Sequence, residues 1–113
     1  MTERPTAPDD LGEAGLALWA DLTEHFEFDA QDLIVVVEAT RVKDRLDELD
    51  AVVRTEGVTV KTPQGVKAHP ALIESRQQQI VLTRLIASLR LPDEFDRRGQ
   101  RRGGSRGVYG GRE

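Results

Sequence analysis

The feature that most limits the possible folds is a line of apolar residues at heptad spacing between residues 30 and 56. The residues recur at alternating steps of four and three, which is typical of a helix that packs along one stripe. They are Val35, Ala39, Val42, Leu46, Leu49 and Val53. We predict a helix from Ala30 to Glu56, with Asp29 as its N-cap. The spacing favours packing within the chain, and a seam between subunits is the alternative.

A shorter helix is predicted before it, from Leu11 to about His25, with Trp19 on its apolar side. One of the two aspartates that precede it can cap its N-terminus. Glycines at positions 12 and 15 are expected to weaken its first turn. Residues 1–10 contain two prolines and no apolar period, so we predict a flexible acidic lead there.

The segment after the long helix has strong turn signals. Gly57 suits a helix end, and residues 58–68 have the pattern of a small β-hairpin with Gly65 in its turn. Pro70 suits the first position of a further helix. The preceding His69 is expected to fix this corner structurally, and the alternative is a contact with DNA or another subunit.

The third helix is apolar around much of its circumference and ends before Pro92. We therefore predict that it is the most buried element and antiparallel to the second helix. The fold class is mainly α: a hairpin of two long helices, a shorter N-terminal helix, a small β-hairpin insertion and disordered termini. The residues expected in the core or between subunits are Trp19, Val42, Leu46, Leu49, Val53, Ile80 and Leu85.

A chain of 113 residues leaves much apolar surface unburied when alone, so we expect residues 11–96 to form an oligomer. The chain has no cysteine, two histidines and no phosphate-binding GxxxxGK[ST] loop, so no enzyme activity, cofactor or metal is predicted. The longest apolar run, Leu33 to Val37, is too short to cross a bilayer. Without a signal-peptide pattern, this predicts a soluble cytoplasmic protein.

Positive charge is concentrated at the C-terminus, where residues 97–113 carry six arginines and one acid. This glycine-rich tail cannot build a core and is predicted to be disordered when unbound. Guanidinium groups match phosphate oxygens, so DNA contact is favoured over a tail that is merely solvated. The candidate DNA-binding residues are Arg97, Arg98, Arg101, Arg102, Arg106 and Arg112 in the tail, with Lys61 and Lys67 on the hairpin.

The stretch EGVTVKTPQGVKAHPAL, Glu56 to Leu72, resembles one branch of the small terminase subunits of tailed bacteriophages. In that branch a long helix ends in glycine, a short hairpin follows, and His-Pro-Ala-Leu starts the next helix. Gly57, Gly65, His69 and Pro70 match. The resemblance covers roughly residues 11–96, but the tail departs from the Pro-Ser-Arg-Ala-Arg type segment of many relatives.

The resemblance implies a ring-shaped homo-oligomer in the host cytoplasm that binds double-stranded viral DNA. It also implies that the protein regulates the ATPase and nuclease of the large terminase subunit. Two other classes stay open from the residues alone. One is a coiled-coil scaffold or adaptor without DNA binding, and the other is an RNA-binding protein built around the arginine and glycine tail.

Overall fold

The computed structural model describes residues 4–92. Its elements are, in order, α1 (Glu13–His25), α2 (Ala30–Glu56), β1 (Thr59–Thr62), β2 (Gly65–Ala68) and α3 (Pro70–Ser88). The mainly helical class, with a small antiparallel β-hairpin between two long helices, is therefore confirmed. The predicted basic tail, 97–113, lies outside the described residues.

The ends of α2 are set by local chemistry that the sequence displays. Asp29 Oδ1 accepts a hydrogen bond of 2.8 Å from the backbone N–H of Asp32, which satisfies one of the free amides of the first turn. At the other end the N–H of Gly57 donates to Val53 O over 2.7 Å. Gly57 has a φ of +92°, a conformation that a residue with a Cβ rarely adopts.

Two sides of α2 are covered. The heptad positions Ala39 and Val42 are buried, while Leu46, Leu49 and Val53 are half-buried. A second buried line, Val36 and Thr40, lies in the N-terminal half of the helix, where α1 packs. Leu46 and Leu49, expected to be buried between helices, are thus only partly covered, because α1 does not extend along the C-terminal half of α2.

The core lies at one end of the molecule, where α1, the start of α2 and the end of α3 meet. It consists of Leu11, Trp19, Leu22, Val36 and Leu89. At the opposite end the last turn of α2 and the first turn of α3 are joined through the hairpin. The contacts at both ends require that α2 and α3 run antiparallel, as predicted.

The third helix is not the most buried element, and this prediction is wrong. Ala71 is its single buried residue, Leu85 is half-buried, and Ile80 is 50% exposed. The reason is that α3 has one main packing partner, α2. One helix can cover only one side of another, so the remaining apolar side chains face outward.

The N-terminal region also differs from the prediction. The first helical residue is Glu13, and the N-cap residue, Gly12, has no side chain to cap with. The cap is supplied by α2 instead: the Asp44 carboxylate accepts hydrogen bonds of 2.7 Å from the amides of Gly12 and Gly15. Asp44 therefore both completes the first turn of α1 and ties α1 to α2.

The predicted flexible lead makes specific contacts over residues 4–10. Arg4 Nη2 donates to Ala20 O at 3.3 Å and to Thr23 Oγ1 at 3.1 Å. Ala7 packs against the core, and the Asp10 carboxylate lies 3.3 Å from Arg41 Nε. Arg4 and Asp10 thus hold this segment against the helices.

Candidate nucleic-acid and subunit interface

The corner between the hairpin and α3 is organised by His69, which is 8% exposed. Its Nδ1 accepts from the N–H of Ala71 at 2.9 Å, and its Nε2 lies 2.7 Å from Glu56 Oε1. A backbone amide can only donate, so Nδ1 must be unprotonated and the ring proton sits on Nε2. His69 therefore caps α3 while donating to the end of α2, which is the structural role favoured from the sequence.

The hairpin presents its two lysines in different directions. Val60 pairs with Lys67, and Lys61 pairs with Val66. Directly paired residues share a face of a sheet and successive residues alternate between faces. Lys61 and Lys67, both exposed, consequently lie on opposite faces of the hairpin, and the structure does not bring these two candidate DNA contacts into one patch.

The described charges separate sharply at residue 57. Residues 4–56 carry five basic and fourteen acidic side chains, whereas residues 57–92 carry five basic and one acidic. Residues 4–56, which contain α1 and α2, thus form an acidic layer of net charge −9. Residues 57–92, which contain the hairpin, α3 and Arg90, form a basic layer of net charge +4. This division was not predicted from the sequence. Counting charge for each predicted element would have found it.

The cations of the basic layer make no ion pairs within the described chain, residues 4–92. They are Lys61, Lys67, Arg76, Arg84 and Arg90. In the acidic layer Arg54 pairs with Asp50. Unpaired surface cations remain available for phosphates or for an acidic protein surface.

Arg41 on α2, unlike the cations of the basic layer, makes two ion pairs. Its Nη1 lies 3.2 Å from Glu38 Oε2 in addition to the Asp10 contact. The Asp10 carboxylate, and to a lesser degree Glu38, raises the pKa of the Arg41 guanidinium. Arg41 is therefore committed to holding the N-terminal segment on α2.

The groove beside His25 does not assemble a reactive group. About 440 Å³ in volume, it is lined by residues that include Arg4, His25, Phe26 and Phe28. His25 Nδ1 is 2.8 Å from the carbonyl O of Asp21 and 3.3 Å from Asp21 Oδ1, so its ring is held on its own helix. Across residues 4–92 no three metal-ligating side chains converge.

None of the helices within the described part of the chain has both the length and the apolar character needed to cross a bilayer. Comparisons with protein-family models, curated proteins and solved structures found no match to the chain.

Of the residues singled out from the sequence, Trp19 and Val42 are 6% and 2% exposed. Gly57, His69 and Pro70 lie at the base of the hairpin, whereas Gly65 lies at its turn, paired with Thr62. The six tail arginines are outside the described residues. Two features were missed entirely: the Asp44 cap, and the unpaired arginines Arg76 and Arg84 on α3.

Proposed function

We propose that the chain is the small terminase subunit of a tailed bacteriophage, acting in the host cytoplasm. In this role it is a non-enzymatic homo-oligomer, built as a ring, that binds double-stranded viral DNA. It delivers that DNA to the large terminase subunit and regulates the ATPase and nuclease of that subunit.

The observation that carries the DNA-binding part is the separation of charge. A net acidic protein is repelled by DNA unless its positive charge is collected in one place. Here residues 57–92 carry a net charge of +4 and the tail 97–113 a further +5, against −9 in residues 4–56. Phosphates would meet the basic layer and the tail, while the acidic layer stays remote from the duplex.

The corner supports the assignment to the terminase class. The segment that resembles those subunits is held by the Gly57 helix end, the paired strands of the hairpin and the His69 cap. These contacts place the hairpin at the tip of the α2–α3 pair. This is where a contact with DNA or with the large subunit would require a fixed shape.

The test is duplex binding as a function of salt for three proteins: the full chain, a chain ending at Asp96, and a full-length chain with its six tail arginines replaced by glutamine. If three to six arginines neutralise phosphates, log affinity against log salt should have a slope of roughly −3 to −5 per engaged subunit. Both variants should lose affinity and have flatter slopes, with unchanged native mass and helix content. The glutamine variant is the matched control, since it keeps the tail length and removes only the charge.

Two other results would redirect the assignment. Preference for single-stranded RNA over duplex DNA at equal salt would favour an RNA-binding protein. No salt-sensitive binding to either nucleic acid, in a protein that is oligomeric, would favour a scaffold or adaptor. Tight duplex binding by both variants with the full slope would move the contacts from the tail to the basic layer.

A further inference from the structure

The outward side of α3 has apolar side chains that the fold leaves uncovered. Ile73 and Ile80 are 48% and 50% exposed and lie one heptad apart, so they fall on one line along the helix. Arg76 and Arg84 are exposed beside them, and neither makes an ion pair within the described chain. We call these four residues the α3 outer face. Apolar groups next to unpaired cations fit a partner surface that is partly apolar and acidic.

The outward side of α1 has the complementary properties. Leu16 is 45% exposed, and Ala17 and Ala20 are exposed beside it. Glu13 and Glu24 are exposed at the two ends of this strip, on the same side of the helix because the steps from 13 to 17, 20 and 24 are four, three and four. Neither glutamate makes an ion pair with any residue between 4 and 92. These five residues are the α1 outer face.

We propose that the α3 outer face of one copy binds the α1 outer face of the next copy. The two isoleucines pack over the alanines, whose small side chains leave room for them, and the arginines pair with the glutamates. Arg76 and Arg84 are about 12 Å apart along their helix and Glu13 and Glu24 about 16 Å apart. The long arginine side chains can span the difference.

A second copy of the chain is the occupant because the two faces cannot meet within one molecule. The buried sides of α1 and α3 are turned toward α2 and the core, so both outer faces point away from the helix that they share. The contact joins two different surfaces, and each added copy therefore leaves one free face of each kind. Association of this type continues until a ring closes or a filament forms.

The inference rests on the self-association part of the proposed function. It assigns Arg76 and Arg84 to the contact between copies, which leaves Lys61, Lys67, Arg90 and the tail to contact DNA. It is tested without DNA, by measuring native mass for two charge-reversed proteins. The first carries Arg76→Glu and Arg84→Glu, so that both of its faces are acidic. The second carries Glu13→Arg and Glu24→Arg, so that both of its faces are basic. Lys43→Glu, an exposed reversal on α2 outside either face, is the control.

Each reversed protein alone should associate more weakly than the unaltered chain, by on the order of a hundredfold in dissociation constant. An equimolar mixture should regain assembly in which the two proteins alternate, because every contact then joins an acidic face to a basic one. Recovery in the mixture also shows that both variants are folded. Ile80→Asp should block assembly, whereas Val66→Asp, at another exposed aliphatic position, should leave it unchanged.

Assembly of either reversed protein alone to the native mass overturns the inference, as does a mixture that stays dissociated. If Arg76→Glu and Arg84→Glu leave the mass intact but weaken duplex binding, the α3 outer face is a DNA surface and the inference is wrong. A monomeric unaltered chain would contradict the proposed function itself. These outcomes distinguish failure of the inference from failure of the proposed function.

Discussion

Replacing Gly15 by alanine tests the close approach of α1 to α2. A Cβ at this position would lie 2.8 Å from the carbonyl O of Thr40 and 2.5 Å from Asp44 Oδ2. The Thr40 oxygen belongs to the backbone of α2 and cannot move without displacing the helix. The Asp44 carboxylate can move, but it would then lose its hydrogen bonds to the first turn of α1.

The sign of the effect is what makes the substitution informative. Glycine to alanine inside a helix normally stabilises by up to about 1 kcal/mol. Forcing a methyl group into a packed contact costs about 1–3 kcal/mol, and each hydrogen bond lost by the Asp44 carboxylate costs about 1.5–3 kcal/mol. We therefore expect Gly15→Ala to lower the free energy of unfolding by at least about 2 kcal/mol.

Urea denaturation at a fixed protein concentration measures the change, since assembly would otherwise shift the apparent stability. Gly12→Ala is the control. Its Cβ would approach only the Asp44 side chain, at 3.1 Å from Oδ1, so a small shift of that side chain relieves the contact. The expected loss in the free energy of unfolding stays below about 1 kcal/mol. A Gly15→Ala protein as stable as the unaltered chain would refute the close packing of α1 on α2.

Two further substitutions test the ends of α3. His69→Ala should lower the free energy of unfolding by about 1–2 kcal/mol, because the cap is lost. His69→Asn can still accept from the Ala71 N–H and should lower it by about half as much. Equal losses would contradict the capping role. Arg90, just past the end of α3, has a φ of +53°. Arg90→Gly should therefore raise the free energy of unfolding by about 0.5–1 kcal/mol. As the control, Gln79→Gly inside the helix should lower it by about 1 kcal/mol. Thermal or urea melts give both comparisons, and the same sign for Arg90→Gly and Gln79→Gly would contradict the strained conformation of Arg90.

The elements were predictable where local chemistry defines them. Asp29, Gly57 and Pro70 each suit one position of a helix end, and the heptad line between them requires a helix. The hairpin follows from its turn residues. Even the opposite placement of Lys61 and Lys67 could have been obtained, because a connection of Pro63 and Gln64 fixes which residues pair.

The features that the sequence analysis missed depend on how separate elements meet. The Asp44 cap joins residues about thirty positions apart, and neither the spacing nor the composition of α1 contains a sign of it. Gly15 was interpreted as a weakness of the helix, whereas it is the position that lets α1 approach Thr40. The burial of α3 was overestimated because periodicity shows which side chains are apolar but does not show how many helices are present to cover them.

The exposed apolar side chains of the two outer faces determine how strong one contact between copies is. Covering the exposed half of an isoleucine contributes about 1 kcal/mol, so Ile73, Ile80 and Leu16 together contribute about 3 kcal/mol, and surface ion pairs add roughly 0–1 kcal/mol each. The loss of translational and rotational freedom on association opposes this by at least about 4 kcal/mol. A single such contact is therefore weak, and an open pair of copies is expected to be scarce.

A closed ring has one contact more than an open chain of the same number of copies and loses no further translational freedom to form it. Open chains built through these faces should therefore be scarcer than closed rings, because only in a closed ring is every copy contacted on both of its outer faces.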